Sequence, residues 1–204
     1  MYLLLLFYSI SCSAHNSIHI TWHIPTATLC PINWDSDKKT HQLLCQSTQK
    51  KLLILVKKQR MYLVDKDNKL LKDYPICTAK KGTGETPRSN KTPRGWFVIK
   101  EKVGDRKRHN QNFSARKPCQ RATGITTRIL TLEGIQTHNT NTRSRCIYIH
   151  GTPFTGAIGI QPRSEGCIRM HANDIIQLYS QVSTNTAVYI YDGHNPLAWQ
   201  PHTS

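Results

Sequence analysis

Two short stretches, Ile147–Thr152 (IYIHGT) and Ser164–Met170 (SEGCIRM), decide how this chain is interpreted. The first is an extended, alternating run that brings His150 directly to a glycine turn. The second places a glycine immediately before Cys167 and an arginine, Arg169, two positions later. A cysteine that follows a glycine on a tight turn exposes both its sulfur and its backbone N–H, which are the groups that nucleophilic catalysis requires. Cys167 is therefore a candidate nucleophile, and His150 is a candidate base.

Residue types alone leave other interpretations of this pair open. A single cysteine most often packs in a core, and a single histidine is most often a hydrogen-bonded structural residue. A zinc site would use His150, Cys167 and His171, but it lacks a fourth ligand and its spacing is irregular. Arg169 adds a positive charge that favours a thiolate or holds a substrate carboxylate.

Short apolar or alternating runs surround the two stretches and predict a mainly β domain with a sandwich or barrel core. The strand candidates are Leu52–Val56, Gln59–Asp65, Leu70–Thr78, Gly95–Glu101, Arg128–Leu132, Cys146–His150 and Ala187–Tyr191. One helix is predicted after them, because apolar side chains recur at helical spacing from Ile175 to Val182. The basic segment Gly104–Thr127 reads as a loop, and Cys77 and Cys146 read as small packing residues within strands.

The composition of the chain favours some classes of binding partner and argues against some classes of protein. The 204 residues carry 28 Lys and Arg against 12 Asp and Glu, a formal charge of +16. Such a balance favours an anionic partner, whether nucleic acid, anionic lipid or a cell-wall polymer. No apolar run is long enough for a membrane-spanning helix. The seven cysteines include no C-x-x-C pair, so neither a zinc ribbon nor a thioredoxin-type site is indicated.

The sequence pattern divides the chain into three parts. Residues 1–50 read as a leader or disordered segment, with a candidate signal peptide at 1–14 that lacks a basic start. Residues 51–192 form the expected folded domain, and 193–204 a C-terminal tail.

Taken together, the two opening stretches resemble the catalytic domain of the L,D-transpeptidases (the YkuD-like family). That family carries His-Gly on one strand and then Ser/Thr-His-Gly-Cys followed by Arg or Asn. Thr92–Ile99 (TPRGWFVI) is similar to its T-P-x-G-x-F segment, and Arg128–Ile135 (RILTLEGI) to the strand that precedes the histidine. The resemblance covers roughly Leu52 to Tyr191 and implies that family's sandwich- or barrel-like β fold, with one short helix after the catalytic loop.

The resemblance also implies roles. Cys167 is the nucleophile and His150 the general base, oriented with help from the backbone carbonyl of Gly151. Backbone N–H groups around Gly166 and Cys167 form the oxyanion hole. Ser164 supports the loop by hydrogen bonding.

At the substrate side of the implied site, Arg169 holds the loop or a substrate carboxylate. Glu165 departs from the family pattern, which has a second histidine there. We expect its carboxylate to tune donor specificity or repel anionic stems, and to raise the thiol pKa of Cys167 against the effect of Arg169.

The implied activity is cysteine-based peptidoglycan transpeptidation in the periplasm, with a role in cell-wall organisation and cell shape. Cys167 attacks the third residue of a tetrapeptide stem and releases D-Ala, and an amine from another stem then captures the thioester to form a 3→3 cross-link. A lipoprotein Lys is another acceptor, and water would make the chain an L,D-carboxypeptidase. No metal or organic cofactor is needed, and a monomer is expected.

A non-catalytic basic module that binds wall polymer is the alternative of a different class, and Glu165 is the feature that favours it. Nucleic acid is the weaker partner, because no nucleic-acid motif accompanies the charge. The basic segment Lys102–Thr127 is a further candidate, as a lid over the cleft.

Overall fold

Ten strands and one α-helix make up residues 50–193, the part of the chain that the computed structural model describes. In chain order the strands are β1 Lys50–Leu55, β2 Arg60–Asp65, β3 Leu70–Pro75, β4 Gly95–Val103, β5 Asn112–Ser114, β6 Lys117–Cys119, β7 Thr126–Gly134, β8 Tyr148–Gly151, β9 Ile168–Met170 and β10 Ala187–Tyr191. The helix α1 spans Ala172–Gln181, and short 3-10 helices span Val56–Lys58 and Thr137–Thr142. The predicted mainly β class with one short helix after the Cys167 segment is confirmed.

The leader and tail predictions fall largely beyond this region. The candidate signal peptide at 1–14, the rest of the leader up to residue 49 and the tail from residue 194 lie outside the described residues. Strand β1 begins at Lys50, one residue before the expected domain start.

All ten strands belong to one mixed sheet. Its main path runs β3-β2-β1-β10-β4-β7, and β7 also pairs with β5 of the β5–β6 hairpin and with β8. Two neighbouring pairs are parallel, β1 with β10 and β8 with β9. Strand β9 therefore lies at the far end of the sheet from β3.

Backbone bridges join these two ends. The N–H of Cys77, just after β3, donates to the carbonyl of Arg169 in β9, and the Arg169 N–H donates back to the Cys77 carbonyl, both at 2.9 Å. A second bridge joins Ala79 to Ser164. The sheet thus curls until its two ends meet, and the seam runs along the segment that carries Cys167.

Alternation along the strands fills the interior of this curled sheet. Successive side chains point to opposite faces, so every second residue of a strand enters the core. The buried set includes Leu52 and Ile54 of β1, Phe97 and Ile99 of β4, Leu130 and Leu132 of β7, Ile149 of β8, and Ile175 and Leu178 of α1. On the opposite face a smaller cluster of Phe113, Ile129 and Tyr148 packs against the side chain of Cys167.

Two expectations about local structure were wrong. The segment Gly104–Thr127 is not all loop, because β5 and β6 form a hairpin there and bury Phe113 against Ile129. Cys146 does not pack in a strand, since it is exposed in a turn with φ +56° and β8 begins only at Tyr148. In both places a tertiary contact or a left-handed turn decides the structure, and neither has a periodic signal.

Gly134→Ala tests the close packing at the end of β7. An added Cβ would overlap the backbone carbonyl and the side chain of the buried Asn139, so we expect the free energy of unfolding to fall by about 1–3 kcal/mol. Gly156→Ala is the matched control, because its Cβ would meet no atom within 4 Å. Urea unfolding measures both, and equal effects of the two substitutions would contradict the packing argument.

Candidate active site

The parallel pairing of β8 and β9 brings the two predicted stretches together. Its register sets His150 beside Arg169 and Gly151 beside Met170. The register begins with Ile149 beside Ile168, and continued by one residue it sets Cys167 beside Tyr148. Because side chains alternate along a strand, His150 and Cys167 lie on the same face of the sheet, as diagonal neighbours on adjacent strands.

Two hydroxyl groups fix the turn before Cys167. The Oγ of Ser164 donates to the Cys167 carbonyl at 2.6 Å and accepts the Gly166 N–H at 3.3 Å. From the other side, the Oγ1 of the buried Thr92 donates to the Gly166 carbonyl at 2.9 Å and accepts the Ala79 N–H at 3.0 Å. Hydrogen bonds within the turn therefore stabilise it, and Thr92 links it to Ala79 in the segment that follows β3.

Gly166 has a backbone conformation that residues other than glycine rarely adopt. Its φ is +123°, and a Cβ there would lie 2.9 Å from Ile147 Cδ1 and 3.3 Å from the Lys91 carbonyl oxygen. The glycine before Cys167 is required by both conformation and space. Its N–H, expected in the oxyanion hole, donates to Ser164 in this state of the site.

His150 is a buried neutral base. Its Nδ1 lies 2.8 Å from the Gly151 carbonyl oxygen, and since a carbonyl only accepts, Nδ1 carries the proton and Nε2 presents its lone pair. Burial lowers the imidazole pKa to about 4, and the charge of Arg169 acts in the same direction while the Gly151 hydrogen bond opposes both. The ring is therefore uncharged at neutral pH.

The Cys167 thiol is also uncharged at neutral pH. It donates to the Cys146 carbonyl at 3.4 Å, and burial raises its pKa to about 11. The Tyr148 backbone and the charge of Arg169 favour the thiolate, whereas Cys146 and the exposed Glu165 disfavour it. The opposing effects that the sequence predicted for Arg169 and Glu165 both have the expected sign, but burial outweighs them.

Within residues 50–193, no hydrogen bond joins His150 to Cys167. Burial raises the pKa of Cys167 to about 11 and lowers that of His150 to about 4, so both groups are neutral at rest and a thiolate–imidazolium pair is disfavoured. The arrangement suits proton transfer that accompanies attack on a carbonyl rather than a preformed ion pair. The thiol must give up its hydrogen bond to the Cys146 carbonyl before His150 can accept the proton.

Three residues that hold the site had no role assigned from sequence. Thr92 was noted only as part of the T-P-x-G segment, Tyr148 only as part of a strand, and Cys77 as a packing residue. Cys77 is buried, but its backbone also pairs with Arg169. No side-chain group in the described region has the three or more His, Cys, Asp or Glu residues of a metal site, and His171 instead starts α1 as its N-cap.

A curled β-sheet that sets a cysteine directly before β9 and a histidine on the adjacent parallel strand β8 defines a domain with a candidate nucleophile and base. Its sequence matches the YkuD family, described as the L,D-transpeptidase catalytic domain, over residues 49–190. The chain belongs to this family, which confirms the resemblance.

Solved structures of L,D-transpeptidases also align with the chain. One from Mycobacterium smegmatis has 17% identity over 70% of this chain and 58% of that chain, with a TM-score of 0.46. One from Mycobacterium tuberculosis H37Rv has 15% identity over 71% and 58%, with a TM-score of 0.48. One from Xylanimonas cellulosilytica has 20% identity over 71% and 61%, with a TM-score of 0.45.

The chain therefore spans less than two thirds of the length of these structures. No curated protein matches the sequence. Among the described residues, no helix has the length and apolar character needed to cross a membrane.

The depressed pKa of His150 predicts an acid-sensitive contribution to stability. The imidazole pKa is 6.5 in its ordinary state and about 4 in the fold, so below pH 6.5 the unfolded chain binds the proton more tightly. The free energy of unfolding should therefore fall by up to about 3 kcal/mol as the pH drops from 6.5 to 4. His150→Gln removes this contribution to stability. The free energy of unfolding, measured with urea across that pH range, should therefore decline less steeply in the variant.

The exposed His109 supplies the control, because His109→Gln should keep the steep decline of the unsubstituted chain. Equal slopes for His150→Gln and the unsubstituted chain would contradict the assignment of a buried neutral imidazole.

Proposed function

We propose that this chain is a peptidoglycan L,D-transpeptidase of the cell envelope that works through a Cys167 thioester. The observation that carries the proposal is the placement of Cys167 and His150 on one face of β8 and β9, in a domain of the L,D-transpeptidase family. The donor is a tetrapeptide stem, and no metal or organic cofactor takes part.

In the first step, the Cys167 sulfur attacks the carbonyl of the third stem residue while its proton passes to Nε2 of His150. The oxyanion forms beside the backbone N–H groups of the Gly166–Cys167 turn and within reach of the charge of Arg169. The intermediate then collapses, the proton moves from His150 to the amine of the leaving D-Ala, and the acyl group remains on sulfur. For Gly166 to help, its N–H must leave the Ser164 hydroxyl.

In the second step, an amine attacks the thioester, gives its proton to His150 and forms the new amide. The returned proton regenerates the thiol. A side-chain amine of a neighbouring stem yields a 3→3 cross-link, a lipoprotein Lys yields an attached protein, and water yields a carboxypeptidase. The formal charge of +16 suits an anionic wall polymer. The proposed location is the periplasm, reached through the segment 1–14, and the proposed state is a monomer.

A second candidate is a wall-binding module without catalysis. The observations that favour it are the resting contact of the thiol with Cys146 instead of His150 and the glutamate at position 165 where the family motif has a histidine. The acylation experiment below separates the two candidates.

Intact-protein mass spectrometry with a disaccharide-tetrapeptide tests the proposal. We expect the full chain to gain the mass of the donor minus D-Ala, with free D-Ala released, and Cys167→Ala to gain nothing. His150→Gln should slow acylation by about 100-fold or more, because a general base contributes on that scale. Ser180→Ala is the control, since Ser180 is exposed on α1 outside the site and should leave acylation unchanged.

Absence of an adduct, of D-Ala release and of any cross-linked product would reject the transpeptidase and favour the wall-binding module. A stoichiometric adduct that only water resolves would retain the Cys167 chemistry and reject cross-linking.

Removing the carboxylate at position 165 should make the thiol more reactive. Because Glu165 raises the Cys167 pKa and is exposed, we expect Glu165→Gln to lower that pKa slightly and to speed acylation about two- to fivefold, a small effect because solvent screens the charge. The pH profile of acylation, followed by D-Ala release, measures this. Glu165→Asp is the control and should resemble the unsubstituted chain; a slower Glu165→Gln would show that the carboxylate assists the reaction.

A further inference from the structure

A cavity of about 440 Å³ lies against β9, and its wall includes two arginines, one of which, Arg169, follows the candidate nucleophile by two residues. Its lining consists of Phe154, Gly156, Ala157, Gln161, Arg163 and Arg169. No carboxylate is among these residues. Across residues 50–193, neither Arg163 nor Arg169 forms an ion pair with an acidic side chain, although other arginines do.

The buried Cys77 fixes both arginines at the wall of this cavity. Its backbone N–H and carbonyl bond Arg169, each at 2.9 Å. Its sulfur accepts the backbone N–H of Arg163 at 3.2 Å and lies 3.4 Å from the Gln161 carbonyl oxygen, to which the thiol donates. The Arg163 N–H also lies 2.9 Å from the Thr78 carbonyl oxygen. Hydrogen bonds to Cys77, at the seam of the sheet, therefore hold the backbones of both arginines in place.

Phe154 also contacts the guanidinium of Arg169. The guanidinium of Arg169 lies over the Phe154 ring, 5.9 Å from its centre, which is a cation–π distance. Phe154 is 61% exposed, so the cavity has a large, solvent-exposed apolar side chain beside its two arginines. An apolar side chain and two arginines in the lining of one cavity suit a peptide that bears a carboxylate.

We propose that Arg163 is a specificity-determining residue that, together with Arg169, binds a carboxylate of the donor stem next to the bond that is cleaved. This inference rests on the proposed function. A guanidinium without an internal partner binds a carboxylate by charge-assisted, often bidentate hydrogen bonds. Arg169 follows Cys167 by two residues on the same face, so a carboxylate held there lies close to the reacting carbonyl. Two carboxylates meet this description, that of the terminal D-Ala and that on the side chain of the diamino acid.

The test compares three tetrapeptide donors: one with both carboxylates free, one ending in D-alaninamide, and one with the diamino-acid side-chain carboxylate amidated. Arg163→Gln should raise KM for the free donor about 10- to 100-fold, the scale of a charged hydrogen bond, and change kcat by less than about threefold. Arg163→Lys should recover part of the loss. The loss should vanish on the one donor whose amidation removes the bound carboxylate, and that donor identifies which carboxylate is held.

Arg60→Gln is the matched control, because the Arg60 guanidinium pairs with Asp73 and does not line this cavity. It should leave KM unchanged for all three donors. An Arg163→Gln variant with unchanged KM, or with the same loss on every donor, would overturn this inference while the unsubstituted chain still acylates. Failure of the unsubstituted chain with all three donors would instead reject the proposed function.

Discussion

The two backbone hydrogen bonds between Cys77 and Arg169 are the contact on which the site depends. Strand β9 has only three residues, and within the sheet it pairs with β8 alone. A strand so short, bonded on one side, would be a weak support for a nucleophile. Cys77 supplies the missing neighbour, closes the curled sheet and fixes the far side of the segment that begins at Cys167. The Thr92 and Ser164 hydroxyls then hold the turn before Cys167 in its conformation. They can do so only once the seam has closed.

Closing the seam also determines the electrostatics. It buries His150 and partly buries Cys167, and desolvation is the largest cause of both pKa shifts. Desolvation favours the neutral form of each group, so the imidazole becomes a weaker base and the thiol a weaker acid. Arg169 favours the thiolate but disfavours the imidazolium. The resting site is consequently a neutral thiol and a neutral imidazole whose Nε2 is unprotonated, and in the proposed reaction charge would develop only when a substrate carbonyl is present to receive it.

Sequence patterns predicted the parts of this arrangement that have local signals. The glycine before Cys167, the alternating run that ends at His150 and the apolar spacing of α1 each depend on near neighbours in the chain, and each lies where expected. The seam could not be predicted in this way. Cys77 and Arg169 are far apart in sequence, and an apolar run does not reveal which strand will lie beside it. For the same reason a buried cysteine was expected to pack, and its role in fixing Arg163 became apparent only from the contacts of its sulfur.

The distribution of charge partners bears on how a strongly basic chain would select the proposed donor carboxylate. Arg60 pairs with Asp73, Arg94 with Glu85 and Arg143 with Glu101, so these guanidinium groups are engaged within the fold. Excess charge on an open surface attracts any polyanion and is screened by salt within about 10 Å. Across residues 50–193, Arg163 and Arg169 differ, because they form no ion pair, line one cavity and are bonded through their backbones to the buried Cys77. A cavity lined by both offers the proposed donor carboxylate one defined position. The exposed Glu165 at the edge of the same turn adds a repulsive term for anions that approach in other orientations. Attraction at one point and repulsion beside it can select a donor, whereas the net charge alone cannot.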